Sequence, residues 1–364
     1  MGVDRNYSAF GLKTLNTLAQ IGTEVSIKKR VSPALLEGEG TDLTDTKVLQ
    51  GRAKRKLITQ KMMLGLIDVS KSKEDFQRQK SYWNTYYCQS KIISSKNRIY
   101  GKYCKNRFCT VCSAIRKADI INRYYPTLKT WKEPHFLTLT VKAVKINSLN
   151  KWINGMFRAF SLILNRYKKR YQRGKAIQLI GIKSLECNFN PQRKTYNPHF
   201  HIITANHKIA EILKQEWLQI WKFKNQPQKI VVSPKAQFIR KVENLERDLI
   251  EVIKYGSKIF TEPDIKKKTQ KQKSNLAPMI YIQALDAIFT AMKGKRIFER
   301  FGFNLLKQPR PQPKSKRTYE FENWNFDLKV NDWVNPETGE CLTGYKTPAE
   351  LAYLLEEGIN CSRI

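Results

Sequence analysis

Alternation is the clearest pattern along the chain. Residues 134–142 read Pro-His-Phe-Leu-Thr-Leu-Thr-Val-Lys, and the period-two spacing of apolar and threonine positions predicts a strand. Residues 177–189 predict a second strand and 199–204 a third. Only the polar stretch 190–197 separates those two, so they should pair antiparallel as a hairpin. Helical spacing marks 149–170, through Trp152, Met156, Phe160 and Ile163, and 206–223, through Ile209, Leu213, Trp217 and Ile220. Two more helices are expected at 246–260 and 280–300. The order strand, helix, strand, strand, helix predicts an α+β fold, a central antiparallel sheet with helices on one face.

Outside that region the pattern weakens. Residues 1–75 are mixed, with a Gly/Glu/Thr/Asp-rich loop at 37–45, and carry no assignable chemistry. A Cys-rich segment follows at 76–118, then the α+β domain at 119–305. Alternating Pro and Lys/Arg at 307–317 mark an extended basic linker within 306–364. The tail beyond it is more acidic, holds Trp324 and Trp333, and reads as a small appendage.

Charge narrows the function. The 364 residues include 67 Lys+Arg against 31 Asp+Glu, a formal net charge of +36. Self-repulsion of that size points to a polyanionic partner, and nucleic acid gains from counterion release. Basic runs at 166–175, 266–273 and 307–317 suit phosphate contacts without sequence readout. No apolar stretch is long enough for a membrane span and no signal core opens the chain, so a cytoplasmic protein with no membrane partner is expected. The chain lacks a Walker A loop and a Gly-rich dinucleotide fingerprint.

Three groups of residues carry candidate chemistry. In Asn197-Pro198-His199-Phe200-His201, the histidines at i and i+2 of a strand project from one face and can chelate a divalent cation. Two unrelated half-buried histidines are the bland alternative. Glu186, on the preceding strand, could approach them across the hairpin and supply a carboxylate, favouring Mg²⁺ or Mn²⁺; otherwise it is an ordinary surface glutamate. Glu251, Tyr255 and Lys258 share one face of the helix expected at 246–260. A carboxylate, a phenol and an ammonium together suit phosphoryl transfer, although taken alone such a face on a basic helix is usually packing and solvated charge. Four of the seven cysteines fall close together: Cys109 and Cys112 form a C-x-x-C knuckle, Cys104 is near enough for a third thiolate, and Cys88 could close a structural Zn²⁺ site. Buried free cysteines are the alternative there.

Taken in order, these pieces resemble the plasmid rolling-circle replication initiators of the HUH endonuclease superfamily, in the single-tyrosine group with a cysteine motif. Phe136-Leu-Thr-Leu-Thr140 is similar to the first family motif, and Pro198-His199-Phe200-His201 to the metal-binding second. Glu251-x-x-Lys254-Tyr255-x-x-Lys258 is similar to the third. Cys104-x-x-Arg107-x-Cys109-x-x-Cys112 resembles the Cys-rich segment, with Thr110 where the family usually has Pro. Met292-Lys-Gly-Lys-Arg296 looks like the segment that often closes the domain.

The resemblance covers residues 87–302 and implies a ferredoxin-like palm whose Leu-Thr-Leu-Thr strand is central, beside the histidine strand, plus a small zinc module. It further implies that Glu186, His199 and His201 hold Mg²⁺ or Mn²⁺, that Tyr255 attacks the scissile phosphate, and that Glu251 activates water at termination. Lys254 and Lys258 would position the phosphate. The implied partners are a replication origin, as a single-stranded or hairpin nick site, and a host helicase. A transposase or relaxase of the same chemistry, and a non-catalytic zinc-containing nucleic-acid-binding protein, remain as alternatives.

Overall fold

The computed structural model describes residues 34–36, 40–222, 231–253, 279–305 and 316–356. Its helices are α1 (Thr46–Ser72), α2 (Phe76–Tyr86), α3 (Thr110–Leu128), α4 (Ile146–Gln172), α5 (His207–Lys222), α6 (Leu245–Ile253), α7 (Met279–Met292) and α8 (Ala349–Glu356). The strands are β1 (Ala34–Leu36), β2 (Thr41–Asp42), β3 (Lys91–Ser95), β4 (Arg98–Gly101), β5 (His135–Thr140) and β6 (Gly181–Asn190). After them come β7 (Thr195–Thr204), β8 (Phe238–Lys241), β9 (Phe298–Phe301), β10 (Lys316–Thr318), β11 (Glu322–Asp327) and β12 (Asp332–Val334).

The α+β class is present as expected. The main sheet has the order β8-β5-β7-β6-β9, and every pairing in it is antiparallel. The hairpin β6–β7 forms over ten residue pairs, from Gly181↔Thr204 to Asn190↔Thr195. The Leu-Thr-Leu-Thr strand β5 lies beside the histidine strand, which itself occupies the middle position.

Pleating sends alternate residues of each strand to opposite faces. One face carries Leu137, Leu139, Leu185, Phe200 and Ile202, which join the main core under α4, α5 and α7. Each of these buried side chains contributes about 1.5–3 kcal/mol relative to exposure. Helix α4 meets that core through Leu149, Ile153, Met156, Phe160 and Ile163, spaced three to four residues apart along the helix. The other face carries Phe136, Ile182 and Ile203, packed against Ile120, Tyr124 and Leu128 of α3 and Leu249, Val252 and Ile253 of α6. Helices therefore lie on both faces rather than one. Those three apolar positions would otherwise be exposed, and α3 and α6 remove them from water.

The second sheet runs β12-β11-β3-β4-β2, so the tail contributes two strands beside the hairpin that precedes the cysteine loop. Trp324 and Trp333 pack with Ile92, Ile99, Leu49 and Ala53 on one face of it.

Two expected helices differ from those observed. That at 280–300 ends at Met292; Gly294 takes a left-handed φ of 74°. Phe298–Phe301 then forms β9 on the edge of β6, burying Phe301. The helix expected at 246–260 is described only as Leu245–Ile253. Lys254, Tyr255 and Lys258 lie outside the described residues, as do the basic run 266–273 and most of 307–317.

Candidate metal centre

The register of three strands assembles one polar cluster. Glu186 pairs with His199 across the hairpin, and Thr140 and Thr138 of β5 pair with His199 and His201. All these residues share the face that carries Phe136 and Ile203. The Phe136 and His201 rings lie 5.3 Å apart, at the boundary between the apolar half under α3 and α6 and the polar half.

Within the cluster the Nε2 atoms of His199 and His201 are 3.1 Å apart. Glu186 Oε2 lies 3.1 Å from His201 Nε2 and 3.9 Å from His199 Nε2. The ligand atoms of the three residues all fall within 4.8 Å of one another. Side-chain exposure is 2% for Glu186, 7% for His199 and 13% for His201, so His201 is the most accessible.

His199 donates its Nδ1–H to the Asn197 carbonyl at 3.0 Å. A carbonyl only accepts, so that contact puts the proton on Nδ1 and turns the Nε2 lone pair into the cluster. Nδ1 of His201 lies 3.4 Å from Thr138 Oγ1, which orients the second ring in the same sense. Two adjacent ligands about 2.1 Å from an octahedral ion sit about 3 Å apart, so this donor set fits a divalent cation.

Glu251 sits on α6, half-buried, on the helix that packs against the sheet face carrying Glu186, His199 and His201. Asn244 starts that helix by accepting from the Arg247 backbone N–H at 2.9 Å. Arg240 of β8 anchors it to the sheet through a bidentate pair with Asp248 (Nη1–Oδ2 2.8 Å) and lies over the Phe136 ring. The hydrogen bond to Asp248 pushes Arg240 above its ordinary pKa; burial opposes it, and the charges of Asp248, Glu243 and Glu251 add to it.

A polar cleft continues from the cluster toward the hairpin tip. The pair Asn188↔Asn197 follows Glu186↔His199, two residues or about 7 Å along the strands and on the same face. The cleft has a volume of about 580 Å³ and is lined by Thr140, Asn188, Asn190, Arg193 and Asn197 among others, with no carboxylate. Thr140 Oγ1 donates to Asn197 Oδ1 at 3.0 Å, and Gln237 secures the end of β5 by accepting from the Thr140 N–H at 2.8 Å. Asn188, Asn190, Arg193 and Gln237 escaped the sequence reading, whereas Thr140 and Asn197 lay within quoted motifs without a role of their own. Their signal was positional: Asn188 has the parity of Glu186, and Asn197 that of His199.

The four cysteines converge as a second centre. Cys88 follows α2, Cys104 follows β4, and Cys109 and Cys112 lie at the start of α3. Their sulfurs are all within 4.8 Å of one another, with Cys88–Cys112 at 3.6 Å and Cys104–Cys112 at 3.7 Å. A tetrahedral site with 2.3 Å zinc–sulfur bonds has edges of about 3.8 Å, so the spacing suits zinc. Backbone N–H groups of Cys104, Asn106 and Cys112 point at the sulfurs of Cys88, Cys104 and Cys109, each at 3.4 Å. Hydrogen bonds from its neighbours drive Cys104 far toward thiolate, whereas Cys88 and Cys109 are pushed up. Four thiols this close cannot all ionise unless a cation joins them.

Lys56 of α1 is fully buried beside them. Burial pushes it down to about 8, while the charges of Cys88, Cys109 and Cys104 act in the opposite direction. Its ammonium donates to the Tyr86 carbonyl at 2.7 Å and to Ser90 Oγ at 2.8 Å.

Comparison with known proteins matches the same stretch. A family model described as replication protein (Rep_1) covers residues 96–332, which include Glu186, His199, His201, Glu251 and three of the four clustered cysteines. A "Protein rep" of Staphylococcus aureus is 34% identical over 189 residues, 48% of this chain and 79% of its own length. A "Protein rep" of a Bacillus species is 29% identical over 139 residues, covering 35% of this chain and 44% of its own. One from Streptococcus pneumoniae is 28% identical over 183 residues, covering 44% of this chain and 53% of its own, so the match spans about half the length of these last two relatives. No solved structure matches the chain. No described helix is long and apolar enough to cross a membrane. The chain belongs to the Rep_1 replication protein family.

Proposed function

We propose that this protein initiates rolling-circle replication by nicking one strand of an origin, using Tyr255 as nucleophile and a divalent cation held by Glu186, His199 and His201. The observation that carries the reading is the convergence of those three side chains on one sheet face, within the family-matched stretch. A bound Mg²⁺ or Mn²⁺ would polarise a phosphoryl oxygen of the scissile phosphate.

The Tyr255 phenolate oxygen attacks phosphorus. A phosphorus–oxygen bond forms to tyrosine, the bond to the 3′ oxygen breaks, and that oxygen takes up a proton. The products are a 5′-phosphotyrosine and a free 3′-OH that primes synthesis. Lys254 and Lys258 offset the charge of phosphate and phenolate. At termination Glu251 takes a proton from attacking water. The asparagine-lined cleft holds the strand beside the cluster, with Arg193 available to a phosphate and amides to base edges. The Cys88, Cys104, Cys109 and Cys112 cluster holds structural Zn²⁺.

The test is incubation with single-stranded oligonucleotides from the replicon's own origin, with Mn²⁺, alongside Tyr255→Phe. An SDS-resistant protein–DNA adduct on a denaturing gel that needs metal and disappears in the variant is expected. Origin binding without cleavage under any divalent metal would overturn the nicking role.

A further inference from the structure

The second sheet has one buried face and one open face. Ile92, Ile99, Trp324 and Trp333 pack inward against α1. The opposite parity points outward: Lys91 and Ile93 on β3, Arg98 and Tyr100 on β4, and Asn323 and Asn325 on β11, while Ser95 at the end of β3 is buried against Thr318. Register brings these into one surface, since Ile93 pairs with both Asn323 and Tyr100, and Lys91 with Asn325. Lys91, Arg98, Asn323, Asn325 and Lys102 are exposed, and Ile93 and Tyr100 are half-buried.

A depression of about 520 Å³ crosses this face, and its lining holds two lysines, two asparagines, Tyr100 and no carboxylate. Tyr100 is braced from one side. A Cβ at Gly40 would come within 2.8 Å of its ring and 2.7 Å of Arg98 Cβ, so only a glycine lets the chain lie this close. Bracing limits the rotamers of the ring, so less freedom is lost when a flat partner settles on it. Neither the family motifs nor the metal centre uses any of these side chains.

We propose that this open face is a second binding site, distinct from the metal cleft, which takes single-stranded DNA. An aromatic ring on the strand next to the sheet's β2 edge, cations on both sides of it and amides on β11 match the needs of an unpaired strand. Bases stack on Tyr100, phosphates pair with Lys91, Lys102 and Arg98, and Asn323 and Asn325 meet base edges. Stacking demands a free base face, which excludes duplex DNA from the Tyr100 ring. The identity of the ligand as DNA rests on the replication reading; the geometry of the platform does not.

The experiment uses the full chain in EDTA, so that no strand is cut, and a fluorescently labelled single-stranded oligonucleotide of about 25 nucleotides. Lys91→Ala/Lys102→Ala removes two exposed cations, and Tyr100→Phe and Tyr100→Leu separate stacking from bulk. The double variant is expected to bind at least about tenfold more weakly, with a log–log salt slope flatter by about 1.4, the value for two lost single-strand phosphate contacts. Tyr100→Phe should bind like wild type and Tyr100→Leu about tenfold more weakly. Metal-dependent cleavage of a short nick-site oligonucleotide should be unchanged in the lysine variant, so failure of the nicking reading and failure of this one are read separately. Affinity within twofold of wild type and an unchanged salt slope in the lysine variant would overturn the proposal. Loss of duplex binding with single-strand binding intact would overturn it in favour of a double-strand contact.

Discussion

A carboxylate and two imidazoles held 3.1–3.9 Å apart with little exposure are costly neighbours unless something shares their lone pairs. A divalent cation would do so, and its binding would then appear as stability. At a concentration a hundred times its dissociation constant, a ligand specific to the folded state adds about 2.7 kcal/mol. Glu186→Gln keeps the shape and the hydrogen-bonding capacity but removes the charge. Mn²⁺ should raise the melting temperature of the wild-type protein, and the Gln variant should lose most of that rise while its metal-free melting temperature changes little. Thiolates prefer softer ions than Mn²⁺, so the cysteine cluster does not supply the same response. An equal Mn²⁺ shift in both proteins would remove Glu186 from the ligand set.

Between elements, the best-defined tie away from the sheet is Asp286 on α7. Its carboxylate has no exposure and accepts from Lys73 at 2.6 Å, just beyond α1, and from Arg78 and Tyr82 of α2 at 2.8 Å each. Burial alone would raise its pKa. The bonds from Arg78, Lys73 and Tyr82 and the Arg78 charge outweigh burial and hold it below the ordinary carboxylate value. A carboxyl depressed in the folded state contributes its full stability above the unfolded value of about 4, and loses it as pH falls through the folded value. Asp286→Asn should therefore cost about 3 kcal/mol near neutrality, yet show a shallower loss of urea resistance than wild type as pH falls below about 4. Parallel pH profiles would mean that the carboxylate is not held charged by these partners.

The sequence reveals such elements unevenly, for physical reasons. The β6–β7 hairpin was legible because Leu185, Cys187 and Phe189 alternate with polar residues toward its tip and a short turn leaves one topology, which is also why Glu186 was found. Helix α1 was not, because its buried residues circle the whole helix and include Arg52, Lys56, Thr59 and Gln60, leaving no apolar stripe to read. The helix at 280–300 was overextended because Phe298 and Phe301 keep helical spacing, whereas pairing with β6 turns them into a strand. Strands β3 and β4 form a short hairpin, but their outer partners β11 and β2 lie far along the chain, a register that local pattern cannot carry.

At the scale of the molecule, the cysteine cluster occupies a junction. Its ligand positions follow α2 and β4 and open α3, and buried Lys56 brings in α1. The Cys104–Cys109 loop is further pinned to α7 and the turn that follows it. Arg107 donates to the Lys295 carbonyl at 2.8 Å, and the Phe108 and Phe289 rings are stacked. Helix α3 then continues to the Glu186–His199–His201 face of the main sheet, where it packs with α6, the helix bearing Glu251. A metal bound by the cysteines would therefore hold both the second sheet's hairpin and the cover of the main sheet, with the thiolates' negative charge offset by the metal and Lys56 together. Structural zinc binds with about 10–16 kcal/mol in isolated finger peptides. Even 3 kcal/mol of that carried into folding would move the melting temperature of a domain this size by about 6–12 °C. Purified protein should release one zinc per chain on titration with a mercurial thiol reagent, and melt about 10 °C lower afterwards. Cys112→Ser should reproduce the drop without the reagent, and Cys341→Ser, an exposed cysteine outside the cluster, should leave both quantities unchanged. Release of no zinc from protein expressed with the metal present would leave the four sulfurs as a packed thiol cluster, and the junction would then rest on Lys56, Arg107 and the surrounding apolar contacts alone.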